Sequence, residues 1–142
     1  MEENPVVVEA IYHAPVKKVW RAITDKKEMK QWYFDVSDFK PEPGFEFHFN
    51  GGTKDKIYVH LCEIMEVIPE KKLSYTWRFQ GFQGNSLLTF ELFDEGENTR
   101  TKLTHEGIET FPRDPDFAKE NFRQGWNQII GSGLKKFVER ES

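Results

Sequence analysis

The chain has 142 residues, 20 of them basic and 24 acidic, giving a formal charge of −4; 37% are hydrophobic and 31% charged. These values describe one soluble globular domain with a single core. Basic runs no longer than pairs, such as Lys17-Lys18 and Lys135-Lys136, exclude the basic patch of a nucleic-acid-binding domain. Cys62 is the only cysteine, which excludes an internal disulfide and fits a reducing compartment. No apolar run is long enough to insert in a membrane, and the acidic "MEENPVVVEA" lacks signal-peptide character, so a cytoplasmic location is expected.

In chain order, Val6 to Tyr12 reads as a short β-branched strand. Pro15 opens a helix whose inner face carries Val16, Val19, Trp20 and Ile23. Asp25 starts a second short helix, with Glu28 at capping-box spacing and Met29 and Trp32 inside. Pro41, Pro43 and Gly44 mark a loop. Phe45, Phe47 and Phe49 then alternate with Glu46, His48 and Asn50, the pattern of a half-buried strand. Ile57 to Ile68 is a long strand ended by Pro69. Leu73, Tyr75, Trp77 and Phe79 form the apolar face of the next, and Leu88, Phe90 and Leu92 that of the one after. "DEGENT" makes a hairpin into a last strand, Thr99 to His105. Consecutive strands with short turns predict an antiparallel meander.

Asp114 and Pro115 mark the start of a C-terminal helix of 20 to 25 residues. Its wide apolar stripe is Phe122, Trp126, Ile129, Ile130, Leu134, Phe137 and Val138. Gly125, Gly131 and Gly133 interrupt it, each costing about 1 kcal/mol relative to alanine. Gly125, Ile129 and Gly133 share one side, so the expectation is a close approach of backbones there, with Trp126, Ile130 and Leu134 pointing into the sheet.

Several stretches together resemble the family named for the activator of the heat-shock-protein-90 ATPase. "HAPVKKVWRAITDKKEMKQWY" is similar to its entry segment and "KLSYTWRF" to its central strand. "TKLTHEG" and "GWNQIIGSGLKKF" are similar to its final strand and C-terminal helix. The resemblance runs from about Val6 to Phe137. It implies an α+β helix-grip fold of the START/Bet v 1-like superfamily: a curved antiparallel six-stranded sheet wrapping a long C-terminal helix, with two short helices after the first strand. It also implies a cavity between sheet and helix that holds a lipid-like or aromatic molecule. Two other roles follow from the same kinship: a chaperone-linked protein that modulates a heat-shock-protein-90-type ATPase, and a cavity enzyme such as a cyclase or hydrolase. The co-chaperone activators carry a further N-terminal domain; the expectation here is one helix-grip domain over residues 1–142.

The residues expected around a small hydrophobic ligand are the inward aromatics Trp32, Phe47, Phe49, Tyr75, Trp77, Phe90 and Trp126, with Ile130 and Leu134 from the helix. Tyr75, Thr101 and His105 are the convergent polar groups, His105 by its shared parity with Thr101 and Leu103. His13, His48, His60 and His105 form no zinc motif, and His48 and His60 are expected to face solvent. No nucleophile elbow, phosphate-binding glycine loop or other cofactor motif is readable, so no catalytic residue and no cofactor is assigned. Cys62 reads as a small buried strand residue.

Overall fold

The computed structural model describes residues 5–52, 57–114 and 117–140. Val6, Val8 and Tyr12 of β1 (Val6–Tyr12) are buried while Val7 and Ile11 are exposed, the alternation of a strand with one face on a core. Pro15 sits just ahead of α1 (Val16–Thr24), its carbonyl accepting from the Lys18 and Val19 N–H groups. Val16, Val19, Ala22 and Ile23 are the buried face of α1.

Asp25 caps α2 (Lys26–Trp32), its carboxylate accepting from the N–H groups of Lys27 at 2.8 Å and Glu28 at 3.2 Å. Only half of the expected capping box forms. Glu28 turns instead to Arg21, at 2.6 Å, and the Asp25 N–H donates to the Arg21 carbonyl. Asp25→Ala is expected to cost about 1 kcal/mol, the usual loss of an N-cap acceptor; urea unfolding of the variant against the parent measures it.

The sheet contains β1, β2 (Glu46–Gly52), β3 (Ile57–Ile68), β4 (Lys72–Phe79), β5 (Ser86–Glu95) and β6 (Asn98–Glu106), in spatial order β1-β6-β5-β4-β3-β2. Strands β2 to β6 are the expected meander, and β1 adds antiparallel beside β6 with Val6 opposite His105 and Tyr12 opposite Thr99. A bulge between Ile64 and Glu66 shifts the β3–β4 register, and bulges of this kind bend a strand.

One concave face carries the core. Phe47, Phe49, Cys62, Ile64, Leu73, Tyr75, Trp77, Leu88, Phe90, Leu92 and Leu103 are all buried. His60 is a correction to the expectation of solvent exposure. It is 6% exposed, shares the inward parity of Cys62 and Ile64, pairs with Phe49 and Phe79, and stacks on the Phe49 ring at 4.6 Å. His48, opposite Leu61, does face outward.

The C-terminal helix runs unbroken as α3 (Lys119–Gln128), a π-helical segment (Ile129–Leu134) and α4 (Lys135–Glu139). The described helix begins at Lys119; the expected first position, Pro115, lies outside the described residues. Trp126, Ile130, Leu134 and Val138 are its buried line. The glycines act differently from expectation. A Cβ on Gly125 or Gly131 would meet nothing within 4 Å, and one on Gly133 would lie 3.6 Å from the Trp32 carbonyl, an ordinary contact. Close backbone packing therefore does not require them. Gly131 and Gly133 lie inside the π-helical segment, where Tyr12 donates its phenol hydrogen to the Ile130 carbonyl. Wide turns of this type are rare and occur mostly as single-turn insertions within α-helices.

Candidate functional site

An open cleft of about 570 Å³ lies where β2, β3 and β4 face α3. On one side it is lined by Phe34, Gly51, Tyr58, His60, Trp77 and Phe79. Phe117, Asn121, Phe122, Gly125, Trp126, Gln128 and Ile129 line the other. The rings are mutually braced: His60 stands edge-on to Trp77 at 4.8 Å, Trp77 to Trp126 at 5.3 Å, and Phe79 lies 5.0 Å from Phe117. Gly125 leaves open space in the helical wall. Gly51 is needed for a different reason: a Cβ there would come within 2.8 Å of the His60 ring.

His105 holds the Trp126 wall from behind. The indole N–H of Trp126 donates to His105 Nδ1 at 3.0 Å. An indole nitrogen only donates, so Nδ1 is the bare nitrogen and Nε2 carries the hydrogen. His105 Nε2 then donates to Ser86 Oγ at 2.7 Å, and Ser86 donates its own hydrogen to the Trp77 carbonyl at 2.7 Å. Every member of this chain is satisfied. Burial lowers the His105 pKa from 6.5 to about 3, so the imidazole stays neutral. With both nitrogens engaged, His105 fixes the orientation of Trp126.

His60 is also held neutral. Burial lowers its pKa from 6.5 to about 4, opposed in part by backbone hydrogen bonds to Tyr58 and Phe49. Deeper in the core the Tyr33 and Tyr75 hydroxyls pair at 2.8 Å, and burial raises both phenols well above their ordinary pKa. Burial likewise pushes the Cys62 thiol up, which disfavours the thiolate. Among the described residues no group of three or more His, Cys, Asp or Glu is placed to hold a metal ion, and no helix is long and apolar enough to cross a membrane.

The eleven residues expected around a ligand separate into three groups. Trp77 and Trp126 line the cleft. His105 stands behind it and lines a second cavity of about 530 Å³, between the end of β6 and the start of α3. The others are packed elsewhere. Phe47, Phe49, Tyr75 and Phe90 fill the interior against one another, with Phe47 5.1 Å and Phe90 6.2 Å from Tyr75. Ile130 and Leu134 are fully buried under the helix, as is Thr101 on β6. Trp32 is half-buried on α2 and donates from its indole N–H to the Ala22 carbonyl at 2.8 Å.

Phe34, Tyr58, His60, Phe79, Phe117 and Phe122 are cleft residues that the sequence reading did not assign to a site. Parity carried the signal for three of them. Phe79 continues the Tyr75–Trp77 face, and Tyr58 and His60 continue the Cys62–Ile64 face. Phe34 lies just past the end of α2, where no periodicity reports direction.

A six-stranded antiparallel sheet closed by a long C-terminal helix, with two short helices after the first strand, defines a helix-grip domain of the START/Bet v 1-like class. The chain belongs to the family described as Activator of Hsp90 ATPase homolog 1-like protein, whose family model matches residues 13–139. Activator of 90 kDa heat shock protein ATPase homolog 1 of Mus musculus is 23% identical over 120 residues, 84% of this chain and 32% of that protein. The chain thus spans about a third of the length of the curated relatives it matches. Among solved structures, protein MLL2253 of Mesorhizobium loti is 30% identical with a TM-score of 0.82, over 97% of this chain and 98% of that one. Protein BH1534 of Bacillus halodurans is 25% identical with a TM-score of 0.76, over 96% and 98%.

Proposed function

We propose that the cleft binds a small hydrophobic molecule between the sheet and the C-terminal helix. The observation that carries this reading is an open volume of about 570 Å³ walled by aromatic rings, with Gly125 leaving its helical side unfilled. That volume lies in the ordinary range of small-molecule sites, about 300–1,000 Å³. Native mass spectrometry of the protein purified from its own host, compared with the denatured mass, looks for a retained ligand. A hydrophobic library followed through the indole signals of Trp77 and Trp126 tests the cleft directly. A library that moves neither signal would sink the reading.

Gly125→Leu separates binding from folding. Leucine is a better helix former than glycine by about 1 kcal/mol, and a Cβ at the position meets nothing within 4 Å. The variant is expected to melt at or above the parent temperature and to lose about tenfold or more in affinity for any library hit, as the side chain enters the cleft. Unchanged affinity at unchanged stability would move the ligand elsewhere.

Family membership favours a second reading, a contact with a heat-shock-protein-90-type chaperone that alters its ATPase rate. Steady-state ATPase measurements with the cognate chaperone decide it; no change in rate at saturating protein removes it.

A further inference from the structure

Trp77 is 4% exposed and lines the cleft, yet its indole N–H has no hydrogen-bond partner. The contrast with its neighbours is informative. Trp126 donates to His105, and Trp32 donates to the Ala22 carbonyl. The polar side chains of the adjoining network bond one another and not the Trp77 indole: His105 Nδ1 accepts from Trp126, and Ser86 Oγ accepts from His105 while donating to the carbonyl of Trp77 itself. What surrounds the Trp77 ring is aromatic, with His60 at 84° and Trp126 at 66° to its plane. Ring faces are far weaker acceptors than an oxygen. Among the described residues the Thr101 hydroxyl is the other buried side-chain atom left in this state, and it is not a cleft residue.

A buried donor without an acceptor is costly, and a site built around one favours the ligand that meets it over an isostere that cannot. Resting on the reading of the cleft as a ligand site, we infer that Trp77 sets its specificity. The ligand class is apolar molecules that carry a carbonyl or equivalent acceptor oxygen, which takes the Trp77 N–H. A plain hydrocarbon fills the same space and leaves the donor unmet. Trp77 Nε1 is closed to water, so the oxygen reaches it only as an adjoining ring of the cleft turns aside.

Two probes test this: 2-acetylnaphthalene and 2-isopropenylnaphthalene, which differ only in C=O against C=CH2. The expected result is a preference of about tenfold or more for the ketone in the parent protein, falling to within about twofold in Trp77→Phe, which keeps a ring but loses the donor. In the parent protein the Trp77 indole proton signal is expected to move downfield with the ketone and not with the alkene, a readout that stands even if the variant folds poorly. Equal binding of the two probes, or a preference that survives in folded Trp77→Phe, overturns the inference. If the alkene still shifts the Trp126 signal in that case, the cleft remains a ligand site. If neither probe binds, the inference falls, and the hydrophobic library decides separately whether the cleft is a ligand site.

Discussion

Trp126→Ala is expected to lower stability by about 3–5 kcal/mol, the range for removing a large buried aromatic side chain. Trp126 is 3% exposed, its ring meets Trp77 at 5.3 Å and His105 at 5.9 Å, and it lies on the buried line of α3. Truncation removes this packing and also leaves His105 Nδ1 buried without its donor, which places the loss toward the upper end. Trp126→Phe keeps much of the ring but not the N–H, and is expected to recover about half of the loss. Urea unfolding of the three proteins measures it. A loss below about 1 kcal/mol in the alanine variant would contradict the packing of helix on sheet described above.

Acid is expected to act through the two buried imidazoles. Burial holds the folded pKa of His105 at about 3 and of His60 at about 4, against 6.5 in an unfolded chain. Below pH 6.5 the unfolded chain therefore binds more protons than the folded one, and acidification favours unfolding. The contribution is complete above pH 6.5 and is lost as the pH falls toward the folded values. Two such groups give a loss of about 3 kcal/mol between pH 6.5 and 5.0, a large share of the typical 5–15 kcal/mol of a domain. Unfolding free energies over that pH series check it. His60→Gln and His105→Gln are each expected to halve the slope; a slope indifferent to both changes would place the titration elsewhere.

Periodicity carried most of the architecture. The bounds of β1 and β3 and the inward parity of Leu73, Tyr75, Trp77 and Phe79 were legible, because one buried face forces a period of two. Asp25 was legible as a cap because an N-cap needs only its own side chain and the next turn. The site was read less well, since alternation shows which side chains face inward and not how much space remains between them. Seven of the eleven expected ligand residues lie packed in the interior, and the cleft opens at the edge where β2 to β4 meet α3. His60 was misassigned because a polar residue between apolar neighbours suggests an outward face; here the rings of Phe34, Phe49, Trp77 and Phe79 shield it, and the Tyr58 carbonyl accepts from Nδ1. The unmet donor of Trp77 depends on where its neighbours spend their hydrogen bonds, which no spacing rule reports.

The bond from Tyr12 to the Ile130 carbonyl spans 118 positions of sequence, and His13 N–H to the Glu139 carboxylate spans 126. Contacts this distant make assembly slow, because loop-closure entropy is lost before they form. They also set an order of events during synthesis. Strands β2 to β6 emerge as a meander whose aromatic face lacks the cover of the C-terminal helix until residues 119–139 have been made. Through that interval the nascent chain displays Trp77 and Phe79, whose ring partners Trp126, Phe117 and Phe122 come last, on a sticky surface. Translational pauses ahead of Lys119 would lengthen this exposure, and with it the tendency of incomplete chains to associate.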